Sequence, residues 1–123
     1  MPASTILVVD DEHNILSSIS TALGIEGYDV EVAGSAEIAL EKLGRQSVDA
    51  ILLDVQVAKI VVLDVLDAIR VGEVGVPVFM MSGHGGIELA MEAIRRGAVD
   101  FIEKPIGSDR LMLSLEQALK LRK

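Results

Sequence analysis

With 123 residues, half of them hydrophobic, and a mean hydropathy of +0.47, the chain can bury the core of one domain and is too apolar to stay disordered. A net charge of −8 and a pI near 4.6 argue against gripping nucleic acid through its phosphates, and suit either plain acidic solubility or carboxylates gathered around a divalent cation. The absence of cysteine excludes disulfide and thiolate chemistry, no apolar run approaches the ~20 residues of a membrane span, and Met1-Pro2-Ala3-Ser4 lacks the features of a signal peptide, so a cytoplasmic protein is expected.

In chain order, Thr5-Ile6-Leu7-Val8-Val9 is β-branched and apolar, a strand buried on both faces that ends at Asp10-Asp11-Glu12. From His13 to Leu23 the residues Ile15, Leu16, Ile19, Ala22 and Leu23 recur at helical spacing, and Gly24 and Gly27 bracket the stop. Tyr28-Asp29-Val30-Glu31-Val32 alternates as a strand with one exposed face. Ser35 is placed to cap a second helix carrying Ile38, Ala39, Leu40 and Leu43, closed by Gly44. Ala50-Ile51-Leu52-Leu53 is another fully apolar run, and it stops at the carboxylate of Asp54. Leu63, Val65, Leu66 and Ile69 predict a third helix ending near Gly72. Pro77-Val78-Phe79-Met80-Met81 is a buried strand with Pro at its first residue, where it is tolerated. The loop Ser82-Gly83-His84-Gly85-Gly86 leads into a fourth helix with Ile87, Ala90, Met91 and Ile94, stopped by Gly97. Val99-Asp100-Phe101-Ile102-Glu103 is a short fifth strand, Lys104-Pro105 follows, and Ser108 caps a fifth helix with Leu111, Leu115, Ala118, Leu119 and Leu121.

Strand and helix thus alternate five times, with crossovers long enough for parallel pairing and no internal repeat or linker. Right-handed crossovers then give one α/β domain over residues 1–123, a doubly wound (βα)5 fold with helices on both faces of a five-stranded parallel sheet; of the orders such sheets take, the flavodoxin-like 2-1-3-4-5 is the expectation here.

Such sheets bind ligands at the carboxyl ends of their strands. Asp10, Asp11 and Glu12 follow strand one, Asp54 ends strand three, Ser82 follows strand four and Lys104 follows strand five. Taken singly, each has a bland explanation: a helix cap with acids in the first turn, a turn aspartate, a loop hydroxyl, a surface lysine. Four strand ends that each carry a group useful for phosphate chemistry are far more specific. Strands one and three are neighbours in this order, so their carboxylates face each other and repel unless a cation joins them. Mg²⁺, a hard ion wanting oxygen ligands, fits that demand.

The motifs Val8-Val9-Asp10-Asp11-Glu12, Leu52-Leu53-Asp54, Met81-Ser82-Gly83 and Phe101-Ile102-Glu103-Lys104-Pro105 resemble those of the receiver domains of two-component response regulators over essentially the whole length. The stretch from Ser82 through Pro105 is most similar to receivers of nitrogen-regulatory, σ54-dependent transcription activators. The resemblance implies that Asp54 takes a phosphoryl group from a histidine kinase. It implies Mg²⁺ bound by Asp10, Asp11, Asp54 and the backbone carbonyl of Gln56, with Lys104 on a phosphoryl oxygen. Ser82 would bond the phosphoryl group after transfer and Phe101 would move inward with it, a two-state switch biased by one new dianion. The Lys104-Pro105 bond is expected to be cis. Gln56 and His84, two residues beyond Asp54 and Ser82, are expected to border the path of the water that hydrolyses the acyl phosphate. The domain would catalyse its own phosphorylation and dephosphorylation without being an enzyme in the turnover sense.

One stretch departs from the family. After its aspartate the family runs apolar-x-apolar-Pro and then, two residues on, Asp/Ser-Gly, whereas this chain reads Val55-Gln56-Val57-Ala58-Lys59-Ile60-Val61-Val62. A β-branched Val resists the positive φ for which that Gly commonly serves. The loop at residues 57–62 is therefore expected to be rebuilt, or the third helix to begin differently: the Gln56 carbonyl is displaced, Ile60, Val61 and Val62 form an apolar patch for a partner or dimer, or the β-branched run extends strand three, the alternative being a local repacking that leaves the site intact. The alternative function is a degenerate receiver, a binding module that works without phosphate. A haloacid-dehalogenase-type phosphohydrolase would want a second acid where Gln56 stands, and a flavodoxin-type carrier a Gly-rich loop after strand one; both are absent. Output is expected from the fourth helix, fifth strand and fifth helix, toward attached effector domains, with Arg95, Arg96, Glu103, Asp109 and Arg110 available to pair across a two-fold axis.

Overall fold

The computed structural model describes residues 3–54, 76–83 and 87–121. Gln56, the 57–62 loop, the helix predicted through residues 63–72, and His84 lie outside the described residues. The elements are β1 (Thr5–Val9), α1 (His13–Ile25), β2 (Asp29–Ala33), α2 (Ala36–Arg45), β3 (Ala50–Asp54), β4 (Val78–Ser82), α3 (Ile87–Arg95), β5 (Asp100–Glu103) and α4 (Ser108–Leu121). All four strand pairings are parallel and the order is β2-β1-β3-β4-β5, the predicted doubly wound sheet.

Period-two alternation along the strands splits the core into two layers. Ile6, Val8, Ala50, Leu52, Phe79 and Met81 face the side covered by α1 and α4, where Leu16, Ile19, Leu23, Leu111 and Leu115 meet them. Leu7, Val9, Ile51, Leu53, Val78 and Met80 face the other side, where α2 and α3 contribute Ala36, Ala39 and Ala93. β1, β3 and β4 are therefore apolar on both faces, which is why their sequences do not alternate.

Local signals set most boundaries. Ser35 Oγ accepts the Ile38 N–H at 3.2 Å and starts α2 one residue later, as predicted. Gly27 and Gly97, at φ of 94° and 118°, end α1 and α3 in the left-handed conformation. At both ends the next residue's N–H reaches back five positions, Tyr28 to Leu23 and Ala98 to Ala93, closing the helix on itself. Gly44 does not close α2, which runs on to Arg45. The packed faces differ in places from the expected ones. Ile38 and Leu40 are 46% and 40% exposed because the stripe that reaches the sheet is Ala36, Ala39 and Leu43, at i, i+3 and i+7. Met91, placed on the packed face by periodicity, is likewise half exposed, while Ala93 is buried.

Candidate functional site

Val9 pairs with Leu53, so the residues after them in adjacent parallel strands, Asp10 and Asp54, arrive side by side at the carboxyl edge. Both are fully buried, and Ser82, which ends β4, is buried beside them. β5 pairs Glu103 with Ser82, and the N–H of Lys104 donates to the Ser82 carbonyl at 2.8 Å, which fixes the root of the lysine at the same edge. From there its ammonium reaches across the sheet. Nζ stands 2.7 Å from Asp10 Oδ2, 3.1 Å from Asp54 Oδ1 and 3.9 Å from Glu12 Oε1.

Burial pulls the pKa of the Lys104 ammonium down, but the carboxylates of Asp10 and Asp54 outweigh it and hold the pKa above the ordinary lysine range. The lysine is thus a fixed cation. Asp10 Oδ1 accepts the Glu12 N–H at 2.9 Å, which turns the chain out of β1 into α1 and orients the carboxylate. Glu12 occupies the N-cap position without a side-chain bond, and the first turn of α1 holds no acid. These acids therefore serve the strand edge more than the helix.

Asp10, Asp11 and Glu12 each offer a carboxylate oxygen, all within 4.8 Å of one another. With Asp54 they gather four carboxylates at this edge, and those of Asp10, Glu12 and Asp54 face the Lys104 ammonium. An oxygen-only donor set with surplus negative charge fits a hard divalent cation such as Mg²⁺. Asp10, Asp11 and Asp54 of the expected set lie at this edge; Gln56 lies outside the described residues.

Ser82 Oγ donates to the Gly83 carbonyl at 3.1 Å. Phe101 is partly buried and packs against the α2–α3 layer. The Lys104-Pro105 peptide bond is cis. Two features escaped the sequence reading. Lys104 is expected on a phosphoryl oxygen, and the pattern gave no notice that its ammonium also joins the carboxylates of Asp10 and Asp54. The signal was one lysine sharing an edge with buried acids that need compensation. Glu12 was counted among the acids but not placed beside Lys104, although its position two residues past Asp10 puts it at the same edge. The arginines expected to pair across a two-fold axis have partners on their own chain: Arg95 and Arg96 with Glu92, and Arg110 with Asp100.

A buried carboxylate flanked by a fixed cation and a cation-seeking acid cluster is equipped for phosphoryl transfer, where positioning and charge neutralisation do most of the chemistry. Comparison with known proteins points the same way. Residues 6–116 match the family described as response regulator receiver domain. The chain is 43% identical over 120 residues to the nitrogen assimilation regulatory protein NtrX of Azorhizobium caulinodans, covering 96% of this chain and 26% of that protein. It is 34% identical over 119 residues to the response regulator protein TodT of Pseudomonas putida, covering 97% of this chain and 52% of that protein. The crystal structure of the receiver domain of NtrX from Brucella abortus superposes with a TM-score of 0.85 at 44% identity, over 94% of this chain and 98% of that one. The chain therefore spans only about a quarter of the length of the NtrX relative.

Proposed function

The chain belongs to the response regulator receiver domain family, and from that premise we propose that residues 1–123 form one receiver whose phosphoryl acceptor is Asp54. The observation that carries the assignment is the Lys104 ammonium held between the buried carboxylates of Asp10 and Asp54 at the carboxyl edge.

An Asp54 carboxylate oxygen attacks the phosphorus of a histidine kinase's phosphohistidine; the P–O bond forms as the P–N bond breaks, and the imidazole leaves with the electron pair. Asp10, Asp11, Asp54 and the Gln56 carbonyl would hold Mg²⁺, with Glu12 close by. When bound, Mg²⁺ would supply neutralisation of the phosphoryl oxygens and of the carboxylates around them. Lys104 neutralises the developing charge on the transferred group, exchanging a carboxylate oxygen for a phosphoryl oxygen at little cost in reach. Ser82, whose hydroxyl is spent on the Gly83 carbonyl, turns to donate to the phosphoryl group, and Phe101 packs inward behind it. Gln56 and His84 set the access of hydrolytic water. The chain carries out its own phosphorylation and dephosphorylation in the cytoplasm, without turnover of a separate substrate. Its output passes through α3, β5 and α4 to effector domains, the relatives being far longer than the matched part.

Intact mass after incubation with acetyl phosphate tests this. The expected result is a Mg²⁺-dependent gain of one phosphoryl group, lost in Asp54→Asn. No gain at any Mg²⁺ concentration would overturn it and favour the phosphate-independent binding module, with Ile60, Val61 and Val62 as the place to seek its partner.

A further inference from the structure

β5 is the last strand in the sheet order, so one side of its backbone has no strand beside it among the described residues. The Lys104 N–H points to β4, where it meets Ser82. Counting back by twos, Ile102 and Asp100 turn their backbone groups the same way, and Phe101 turns its own outward. Both outward groups of Phe101 are met by side chains. Its N–H donates to Asp100 Oδ1 at 2.8 Å, and its carbonyl accepts from Arg110 Nη2 at 3.3 Å. The same Nη2 lies 3.3 Å from Asp100 Oδ2. Arg110 belongs to the first turn of α4, so the pair ties the backbone of Phe101 to that helix.

We infer that Arg110 and Asp100 form a latch that holds β5 in its resting setting and so governs how readily the phosphorylated form is reached. The inference deepens the phosphorylation reading and rests on it. In the resting setting Ser82 Oγ is spent on Gly83 and Lys104 on two carboxylates. A phosphoryl group draws both toward itself, and β5, whose end is bonded to Ser82 and carries Lys104, follows. Phe101 lies in the middle of that short strand, so its carbonyl cannot travel inward and keep a bond to a nitrogen already at 3.3 Å. The latch is thus a contact of the resting form alone, and removing it shifts the equilibrium toward the phosphorylated setting. The pair is half exposed, so the shift is that of a surface ion pair, about two- to fivefold.

The test is the affinity of the whole chain for beryllium fluoride, a non-covalent mimic of the aspartyl phosphate, in the presence of Mg²⁺. Arg110→Ala and Asp100→Asn should each tighten binding about two- to fivefold, and the double variant should bind no tighter than either, because the two side chains act as one device. Arg110→Lys, whose ammonium can occupy the place of Nη2, should return to the wild-type value. Lys42→Ala removes a contact of the same chemistry at the opposite edge of the sheet and should leave the affinity unchanged. Equal affinities in wild type and Arg110→Ala, or an equal change in Lys42→Ala, would overturn the latch while leaving the receiver assignment standing. No binding by the wild type would overturn both.

Discussion

Both outer strands of the sheet are closed by the same device, built from different residues and to different tolerances. On β2, Asp29 and Ala33 bond to the β1 side, so Val32 turns its carbonyl outward, where Lys42 Nζ of α2 meets it at 2.6 Å and also pairs with Glu31 at 3.3 Å. On β5 the outward carbonyl is that of Phe101, the cation is Arg110 of α4, and the acid is Asp100, with both contacts of the arginine at 3.3 Å. In each case an acid, the residue after it, and a cation from the next helix blunt an edge that would otherwise invite another strand. The difference lies in the fit. The shorter and less exposed clamp is on the strand that carries no group of the site, and the longer and wetter one is on the strand that leads to Lys104. If β5 acts as the proposed latch requires, the edge that only has to stay closed is the one held tightly, and the edge that has to move is the one held loosely.

That contrast breaks or sharpens under mutation, and the largest effect should come from where β5 ends. Lys104→Met in metal-free protein leaves Asp10 and Asp54 buried without their ammonium and should cost about 3 kcal/mol in urea unfolding. Mg²⁺ should then raise the midpoint of the variant more than that of the wild type, because it restores the missing charge. If Lys104→Met costs no more than Lys42→Ala, the strand end is no different from an edge clamp. Next in size is Asp49, whose Oδ2 accepts the Thr5 N–H at 2.7 Å while its own N–H returns a bond to the Thr5 carbonyl, joining β1 and β3 at the end opposite the site. Asp49→Ala should cost about 1.5 kcal/mol without altering phosphoryl labelling, measured by unfolding and intact mass on the same sample.

The clamps themselves come next. Lys42→Ala should lower stability by about 1 kcal/mol and Arg110→Ala by about 0.5 kcal/mol, in keeping with their exposure. The order in beryllium fluoride affinity is the reverse, and a common order in both measurements would erase the distinction between the two edges.

The smallest effect is on the alkaline limb of stability. Tyr28 opens into β2, and burial, then the charges of Glu116 and Glu26, raise its pKa above the usual 10.0; Lys104 at the end of β5 is raised above 10.5. In both cases the folded chain keeps a proton that the unfolded chain releases. Stability is therefore full below the unfolded pKa values and falls as pH rises from about 10 through the folded ones. Tyr28→Phe should flatten the first part of that fall and Lys104→Met the later part. Tyr28 is the one tyrosine of the chain, so tyrosinate absorbance in the folded protein reports its titration directly.

Much of this was legible in the residues because the signals were local. A two-sided sheet writes unbroken apolar runs such as Ile6–Val9 and Ile51–Leu53, a cap writes a serine at position 35, and left-handed helix ends write Gly27 and Gly97. The candidate site was legible for a related reason: its groups are the residues that end or follow four strands, so knowing where strands stop locates them. What periodicity could not separate was degree. Ile38, Leu40 and Met91 carry the right spacing for a packed face, but α2 and α3 approach the sheet through Ala36, Ala39 and Ala93, and such small residues leave larger neighbours at the margin.

By itself, then, the sequence determined the alternation of strands and helices, the parallel sheet that follows from it, and the gathering of Asp10, Asp54, Ser82 and Lys104 at one edge. Each depends on spacing along the chain or on the handedness of short crossovers. Only the tertiary structure decided which charges answer one another: Lys104 with both Asp10 and Asp54, Lys42 with the β2 edge, and Arg110 with Asp100 and the Phe101 carbonyl. Charged side chains are long, and many partners lie within reach in sequence terms. The choice among them is made by the few ångströms that strand register and helix placement fix in space.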